Sequence, residues 1–264
     1  MEPNGIWVYA ITDSIDLTPL AQIRGVGGRQ VRTVAAAGLT AVAEDVDLAE
    51  FGEEALRRNL EDLNWLETTA RAHHEVIDAV AQQGPLVPMR LATVYSGDEL
   101  IAAMLTERGA VFRSALRRIS GRMEWGVKAY AEQQPETGDD SVGAPAASRP
   151  GGGAGAAYLQ RRRNQLTAQK NARRETLASA EMIHAELARY ADDTRVHTPQ
   201  APQLTGIKAP MILNAAYLVD SARREDFAAA VAALADEHPG LRLELTGPWP
   251  PYSFAGTGGQ GGLT

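Results

Sequence analysis

Patterns that could support catalysis or cofactor binding are few in this 264-residue sequence, and each lacks a required partner. Residues 25–30 (GVGGRQ) lack the third glycine of a dinucleotide fingerprint, and Gly-Lys-Ser/Thr is absent. Residues 151–156 fit G-x-G-x-x-A, but a proline precedes them where a strand is required. His184-Ala185-Glu186 matches half of a zinc-deaminase signature whose other half needs cysteine, and there is none. We therefore predict no catalytic residue, no cofactor and no metal site.

The paired histidines His73 and His74 point about 100° apart on a helix, so they cannot easily share a metal ion. His74 and Asp78, four positions apart, can lie on one face of that helix. Both histidines are expected at the helix surface. The nucleophile and zinc motifs G-x-S-x-G and H-E-x-x-H are also missing. The sequence therefore predicts that the protein is not an enzyme.

A basic cluster is the most unusual charge pattern of the chain. The cluster lies in the helix predicted at 158–191, before Glu175, the first acidic residue of that helix. Its members are Arg161, Arg162, Arg163, Lys170, Arg173 and Arg174. Positive charge near a helix N-terminus opposes the helix dipole and costs about a few tenths of a kcal/mol per charge. A partner could offset this cost, either the acidic stretch at 44–54 or an acidic surface on another protein; a solvated face is the alternative. We take Arg161, Arg162 and Arg163 as candidate partner-binding residues.

Composition excludes several classes of function. A net charge of −7 and a pI near 5.3 argue against nucleic-acid binding, which depends on clustered basic residues. The absence of cysteine excludes disulfides and fits a cytoplasmic protein. The apolar segment at 6–11 lacks a basic leader, and the one at 207–219 is too short to span a bilayer. We expect a folded, cytoplasmic protein with no nucleic-acid or membrane partner.

The most abrupt change in composition divides the chain. Prolines and a glycine run replace apolar periodicity between 133 and 157, which predicts a flexible linker. The predicted domains are an N-terminal α+β domain at 1–132 and a C-terminal α+β domain at 158–254, followed by a Gly-rich tail at 255–264.

Apolar patterns predict the elements of each domain. Strands are predicted at 6–11, 31–35, 39–43, 86–91, 123–130, 204–207, 211–219 and 241–245. Helices are predicted at 53–83, broken once near Asn64-Trp65, at 98–119 with a break at Gly109, at 158–191 and at 222–237. Helices interleaved with strands favour α+β layers, with helices on one face of a mainly antiparallel sheet.

The segment Leu245–Phe254 is physically restricted. Three prolines fix φ near about −65° and remove backbone donors, so it cannot be a helix or a central strand. Its aromatic residues, including Trp249 and Tyr252, are expected on a stiff, extended ribbon. We expect this segment to close the C-terminal domain, with direct binding of a partner by Trp249 and Tyr252 as the alternative.

Three local sequences together resemble one known family. They are VPMRLATVY at 87–95, EWGVK at 124–128 and TGPWPPYSF at 246–254. In this order they resemble the gas vesicle protein GvpL/GvpF family, and Tyr158-Leu159 followed by basic residues is similar to that family's second-domain helix. The sequence departs from the family at Leu91-Ala92, where an aromatic residue and a glycine are expected.

The resemblance implies two domains, the first ferredoxin-like, and a cytoplasmic accessory protein of gas vesicles, which are protein-walled flotation compartments. It implies no catalytic activity and binding to the hydrophobic shell subunit, together with other gas vesicle accessory proteins. It leaves open whether the protein stays in the finished vesicle. The alternative from the residues alone is a small-ligand enzyme or binding protein with its site between two α+β domains.

Overall fold

The computed structural model describes residues 4–16, 18–131, 154–200 and 209–255. Most of the predicted linker, the predicted strand at 204–207 and the tail beyond Ala255 lie outside these residues. The chain divides into two compact units, which are described separately: the first contains 1–124 and 248–264, and the second contains 125–247.

The first unit is built on one antiparallel sheet. Its strands are β1 (Asn4–Thr12), β2 (Arg32–Ala36), β3 (Leu39–Asp47), β4 (Val87–Pro88) and β5 (Val94–Tyr95). Their order is β2-β3-β1-β4, and β5 also pairs with β1. This is the strand order of a ferredoxin-like sheet, as predicted, although a short 3-10 helix at Thr18–Leu20 stands where that fold has its first helix.

Five helices accompany this sheet. They are α1 (Leu48–Phe51), α2 (Glu53–Asn59), α3 (Leu63–Ala81), α4 (Asp98–Glu107) and α5 (Gly109–Ile119). The predicted break between α4 and α5 is confirmed. The break between α2 and α3 falls earlier than predicted, because the Asp62 carboxylate accepts hydrogen bonds from the amides of Asn64 and Trp65 and starts α3 there.

The core of the first unit lies between β1 and α3. Trp7 and Tyr9 on β1 are fully buried, and Val76, Ile77 and Val80 on α3 pack into the same cluster. Trp7 makes an edge-to-face contact with Phe51, with ring centroids 5.7 Å apart. This apolar core fixes α3, which carries the histidines described below.

The second unit alternates strands and helices. Its elements are β6 (Arg122–Ala131), α6 (Ala154–Ala188), β7 (Asp193–Val196), β8 (Met211–Asp220), α7 (Arg224–Glu237) and β9 (Leu241–Trp249). The sheet order is β7-β8-β6-β9, so this unit also follows the ferredoxin-like pattern of β-α-β-β-α-β. α+β architecture is therefore confirmed in each unit.

Strand β6 corrects the predicted division of the chain. The sequence analysis placed this segment at the end of the first domain, but its strand joins the second sheet. The physical reason is packing: alternate residues Trp125, Val127 and Ala129 are buried in one cluster with α6, β8 and α7. The linker prediction alone could not reveal this pairing, because it marks only where regular structure is interrupted.

Candidate partner-binding surface

The C-terminal strap, defined here as residues 248–255, belongs to the first unit and packs on α3. The ring of Trp249 lies 5.4 Å from that of His74 at 60°, and the Tyr252 ring stacks on His74 at 6.5 Å. Trp249 is 44% exposed and Tyr252 is 38% exposed. The strap therefore presents two half-exposed aromatic rings that both contact His74.

Hydrogen bonds anchor the strap below these rings. The backbone amide of Ser253 donates to Glu124 Oε2 at 2.7 Å, and its hydroxyl donates to Glu124 Oε1 at 2.6 Å. Arg118 donates to the carbonyl of Phe254, whose side chain is fully buried. Because a charged acceptor strengthens such bonds, this end of the strap is held firmly.

The end of the strap is turned, not extended. The amide of Tyr252 donates to the Pro250 carbonyl at 2.8 Å, and that of Phe254 donates to the Pro251 carbonyl at 3.2 Å. The prediction of a stiff extended ribbon is therefore wrong for these last residues. The prediction that the prolines exclude a helix and a central strand agrees with the structure. Pro248 lies near the end of β9, which is an edge strand of its sheet.

The expectation that this segment closes the second domain is also wrong. His74 on α3 and Arg118 on α5 contact the strap and lie in the first unit, and Glu124 is the last residue of that unit before the boundary within β6. The physical reason is that Phe254 is buried and Ser253 bonds to the Glu124 carboxylate. The sequence alone does not show which distant residues these two contact.

The face of α3 under the strap is polar. Nε2 of His74 lies 3.4 Å from Asp78 Oδ2, which confirms that the two residues share one face. Burial raises the pKa of Tyr252, and the carboxylates of Asp78 and Glu124 raise it further. The phenol therefore stays protonated and keeps its hydroxyl as a hydrogen-bond donor.

The basic cluster lies on α6 in the second unit. Arg162 and Arg163 are exposed and make no ion pair with any described residue, whereas the side chain of Arg161 lies outside the described part of the chain. Three leucines of the same helix are exposed, namely Leu159, Leu166 and Leu177. Farther along, Ala180, Ile183 and Leu187 are buried in the core of the unit. α6 therefore changes from an exposed basic segment to a buried packing segment.

The acidic stretch suggested as an internal partner for the basic cluster has partners of its own. Asp45 pairs with Arg32 at 2.8 Å, Asp47 caps α1, Glu50 accepts from the Trp65 indole, and Glu53 pairs with Arg57. Local contacts therefore already satisfy much of this stretch, which leaves an acidic surface on another protein or a solvated face as the alternatives for the basic cluster.

Glu44, the first residue of that stretch, is fully buried. Its carboxylate accepts from the Tyr9 hydroxyl at 2.6 Å and from the amides of Gly27 and Arg29 at 3.1 and 2.6 Å. Tyr9 lies at a β-bulge between β1 and β3. The glycine-rich turn at 25–30 is therefore a loop held by a buried carboxylate. The sequence signal for this contact is an acidic residue, Glu44, within the apolar pattern of β3.

His73 is a second buried polar residue that the sequence analysis placed at the surface. Its Nδ1 accepts from the Trp7 indole at 2.9 Å, and its Nε2 lies 3.2 Å from the Met89 carbonyl. This arrangement requires the neutral ring with its proton on Nε2. Burial lowers the pKa of His73 to about 4. The residue therefore links β1, α3 and the 87–95 motif.

Two features that the described residues lack bear on function. No group of three His, Asp or Glu side chains is arranged to hold a metal ion. Among the same residues, no helix combines the length and apolar character needed to cross a membrane. The fold and its surfaces thus define an α+β protein whose notable exposed features are an aromatic strap and a basic helix with leucines.

The comparisons with known proteins agree with this description. The family model described as gas vesicle synthesis protein GvpL/GvpF matches residues 5–256, and the chain belongs to this family. Gas vesicle protein L of Streptomyces sp. (strain CB03234) is 40% identical over 95% of this chain and 92% of its own length. Gas vesicle protein L1 of Halobacterium salinarum is 28% identical over 96% of this chain and 90% of its own.

A solved structure has the same fold. The crystal structure of GvpF from Anabaena sp. PCC7120 covers 99% of this chain and 100% of its own, with a TM-score of 0.66 and 20% sequence identity. Family membership places this protein in gas vesicle formation, among proteins that are themselves named gas vesicle proteins.

Proposed function

We propose that the protein is a non-enzymatic accessory or minor structural protein of gas vesicle assembly. In this proposal it acts in the cytoplasm and at the vesicle, where it binds the hydrophobic shell subunit and supports its assembly into the wall. Other gas vesicle accessory proteins are further partners. The family match over residues 5–256 supports the role in gas vesicle formation, and the strap supports the binding step.

The half-exposed pair Trp249 and Tyr252 carries the proposal. Large aromatic side chains supply apolar contact area at low entropic cost, and they are typical anchors of protein interfaces. Hydrogen bonds from Ser253 to Glu124 and the buried Phe254 hold the strap in place before any partner arrives. A pre-organised aromatic surface of this kind suits a subunit that is itself very hydrophobic.

Co-expression with the shell subunit tests the proposal. We expect the full chain to co-purify with the subunit and to increase the soluble fraction of the subunit, because an occupied apolar surface no longer drives aggregation. The control is the subunit expressed with an unrelated acidic protein of similar size. No co-purification and no change in solubility would contradict the proposal. The relatives' names do not favour the alternative of a two-domain enzyme or ligand-binding protein.

We also propose that the protein acts as an L-type member of the family. Gas vesicle proteins L and F of the same Streptomyces strain are 40% and 25% identical to this chain. Complementation distinguishes the two: the protein should restore vesicles to a strain lacking its L protein and not to one lacking its F protein. Rescue of the F deletion alone would contradict the assignment.

A further inference from the structure

The exposed half of α6 carries a stripe that the shell-binding proposal does not use. We define the α6 stripe by three leucines and three basic residues: Leu159, Arg163, Leu166, Lys170, Arg174 and Leu177. At 3.6 residues per turn these positions fall within an arc of roughly 80° around the helix and extend over about 27 Å. The three leucines are 68%, 48% and 49% exposed.

The charge around the stripe has one sign. Six basic and no acidic residues lie between Ala154 and Arg174. Arg163, Lys170 and Arg174 are exposed and form no ion pair with residues that the structure describes. Because α6 begins at Ala154, these charges lie beyond its first turn, so they repel one another with little effect from the helix dipole. An acidic partner would offset this mutual repulsion.

The leucines determine the kind of partner. Leu159, Leu166 and Leu177 are separated by seven and eleven residues, so they form one apolar line along a helix. An apolar line flanked by charge is the pattern with which one amphipathic helix packs on another. Two copies of the same stripe would instead bring basic residues together, which is unfavourable.

We propose that the α6 stripe docks an acidic amphipathic helix of another protein. The leucines pack against apolar residues of that helix, and Arg163, Lys170 and Arg174 pair with its acidic flanks. This interaction involves a different unit and a different partner chemistry from shell binding, so each proposal can fail alone.

The probe is a fluorescein-labelled synthetic helix of about 20 residues, a length that matches the stripe, with leucines on one face and glutamates beside them. Binding to the full-length protein is followed by fluorescence anisotropy. We expect saturable binding at low salt that weakens about tenfold or more at high salt, because exposed charges are screened.

Two matched variants locate the site. Leu166→Ala should weaken binding about tenfold through lost apolar contact, whereas Asn164→Ala, roughly 160° around the helix from Leu166, should leave it unchanged. Replacing Arg163, Lys170 and Arg174 together by Gln should remove most of the salt dependence. Circular dichroism of each variant, with all of these side chains exposed, should match that of the parent.

Four outcomes would overturn the proposal. One is equal binding of a probe with lysines in place of the glutamates, and another is binding unaffected by Leu166→Ala. A third is a dimer of the protein alone that Leu166→Ala dissociates, which would assign the stripe to a second copy. The fourth is tighter, competing binding of single-stranded RNA through the same basic residues.

Discussion

Glu124 and Ser253 lie 129 positions apart in the sequence, and two hydrogen bonds of 2.7 and 2.6 Å join them. They belong to two of the three motifs by which the chain resembles its family, EWGVK and TGPWPPYSF. The relationship gives these motifs a physical role: one supplies the carboxylate and the other supplies both donors. The third motif is tied to β1, because the amide of Met89 donates to the Tyr9 carbonyl at 2.8 Å.

The first prediction concerns this clamp. Ser253→Ala and Glu124→Gln should each destabilise the protein by about 1–2 kcal/mol, because each weakens a charge-assisted hydrogen bond. In a double-mutant cycle measured by urea unfolding, the pair should show a coupling energy of about 1 kcal/mol. Additive effects of the two substitutions would mean that the bond between the Ser253 hydroxyl and the Glu124 carboxylate contributes nothing to stability, since Ser253→Ala leaves the backbone amide bond in place.

The second prediction concerns the dependence of stability on pH. Burial lowers the pKa of His73 to about 4, below the value of about 6.5 in an unfolded chain. The unfolded state therefore takes up the proton first. The contribution of His73 to stability is constant above about pH 6.5, declines as pH falls toward 4, and amounts to about 3 kcal/mol over that window.

Replacing His73 by Asn tests this expectation. Urea unfolding at several pH values should show a smaller slope of stability against pH for His73→Asn than for the parent between pH 4 and 6.5. The control is the same replacement at His197, whose side chain is exposed. The slope of stability against pH should be the same for His197→Asn as for the parent. An unchanged slope in His73→Asn would contradict the assignment of a neutral, buried ring.

The third prediction concerns Glu44. Glu44→Gln should destabilise the protein by about 2–4 kcal/mol, because the new amide group faces the donors of the 25–30 loop. Asp45→Asn is the neighbouring control: Asp45 pairs with Arg32 at the surface, and its loss should cost less than about 1 kcal/mol. Thermal unfolding of the two variants gives the comparison, and equal losses would contradict the buried-anchor role of Glu44.

The fourth prediction concerns backbone strain at Ala92. Its φ of +64° lies in the left-handed region that favours glycine, the residue expected there in the family. Ala92→Gly should therefore stabilise the protein by about 0.5 kcal/mol despite the lost methyl contact. In contrast, Ala35→Gly in β2 should destabilise it by about 0.5–1 kcal/mol. A melting temperature lowered by Ala92→Gly would show that the methyl contact outweighs the strain.

Local pattern predicted most of the elements in this fold. Strand β1, helix α3 and the break between α4 and α5 follow from apolar periodicity and a helix-breaking glycine, which act over a few residues. The start of α3 differs from the predicted position because a single N-cap residue, Asp62, determines it. Several nearby polar residues could have acted as the N-cap instead.

The pairing of distant segments was not predictable in the same way. Neither the joining of β6 to the second sheet nor the packing of the strap on α3 has a local signal, since each depends on partners more than 70 residues away in the chain. The aromatic and proline-rich setting of Trp249 and Tyr252 singled them out in the sequence, but that setting could not show which residues surround them in the fold. Their role in binding stays a prediction.

The most direct test of the proposed function measures co-purification of the shell subunit with a strap variant. Trp249→Ser combined with Tyr252→Ser should retain the fold, because both rings are half-exposed while Phe254 stays buried, and should lose about tenfold or more of the bound subunit. Leu63→Ser removes another exposed apolar side chain, 78% exposed on α3, and should bind as the parent does. Undiminished binding by a folded strap variant would contradict the claim that the strap holds the shell subunit.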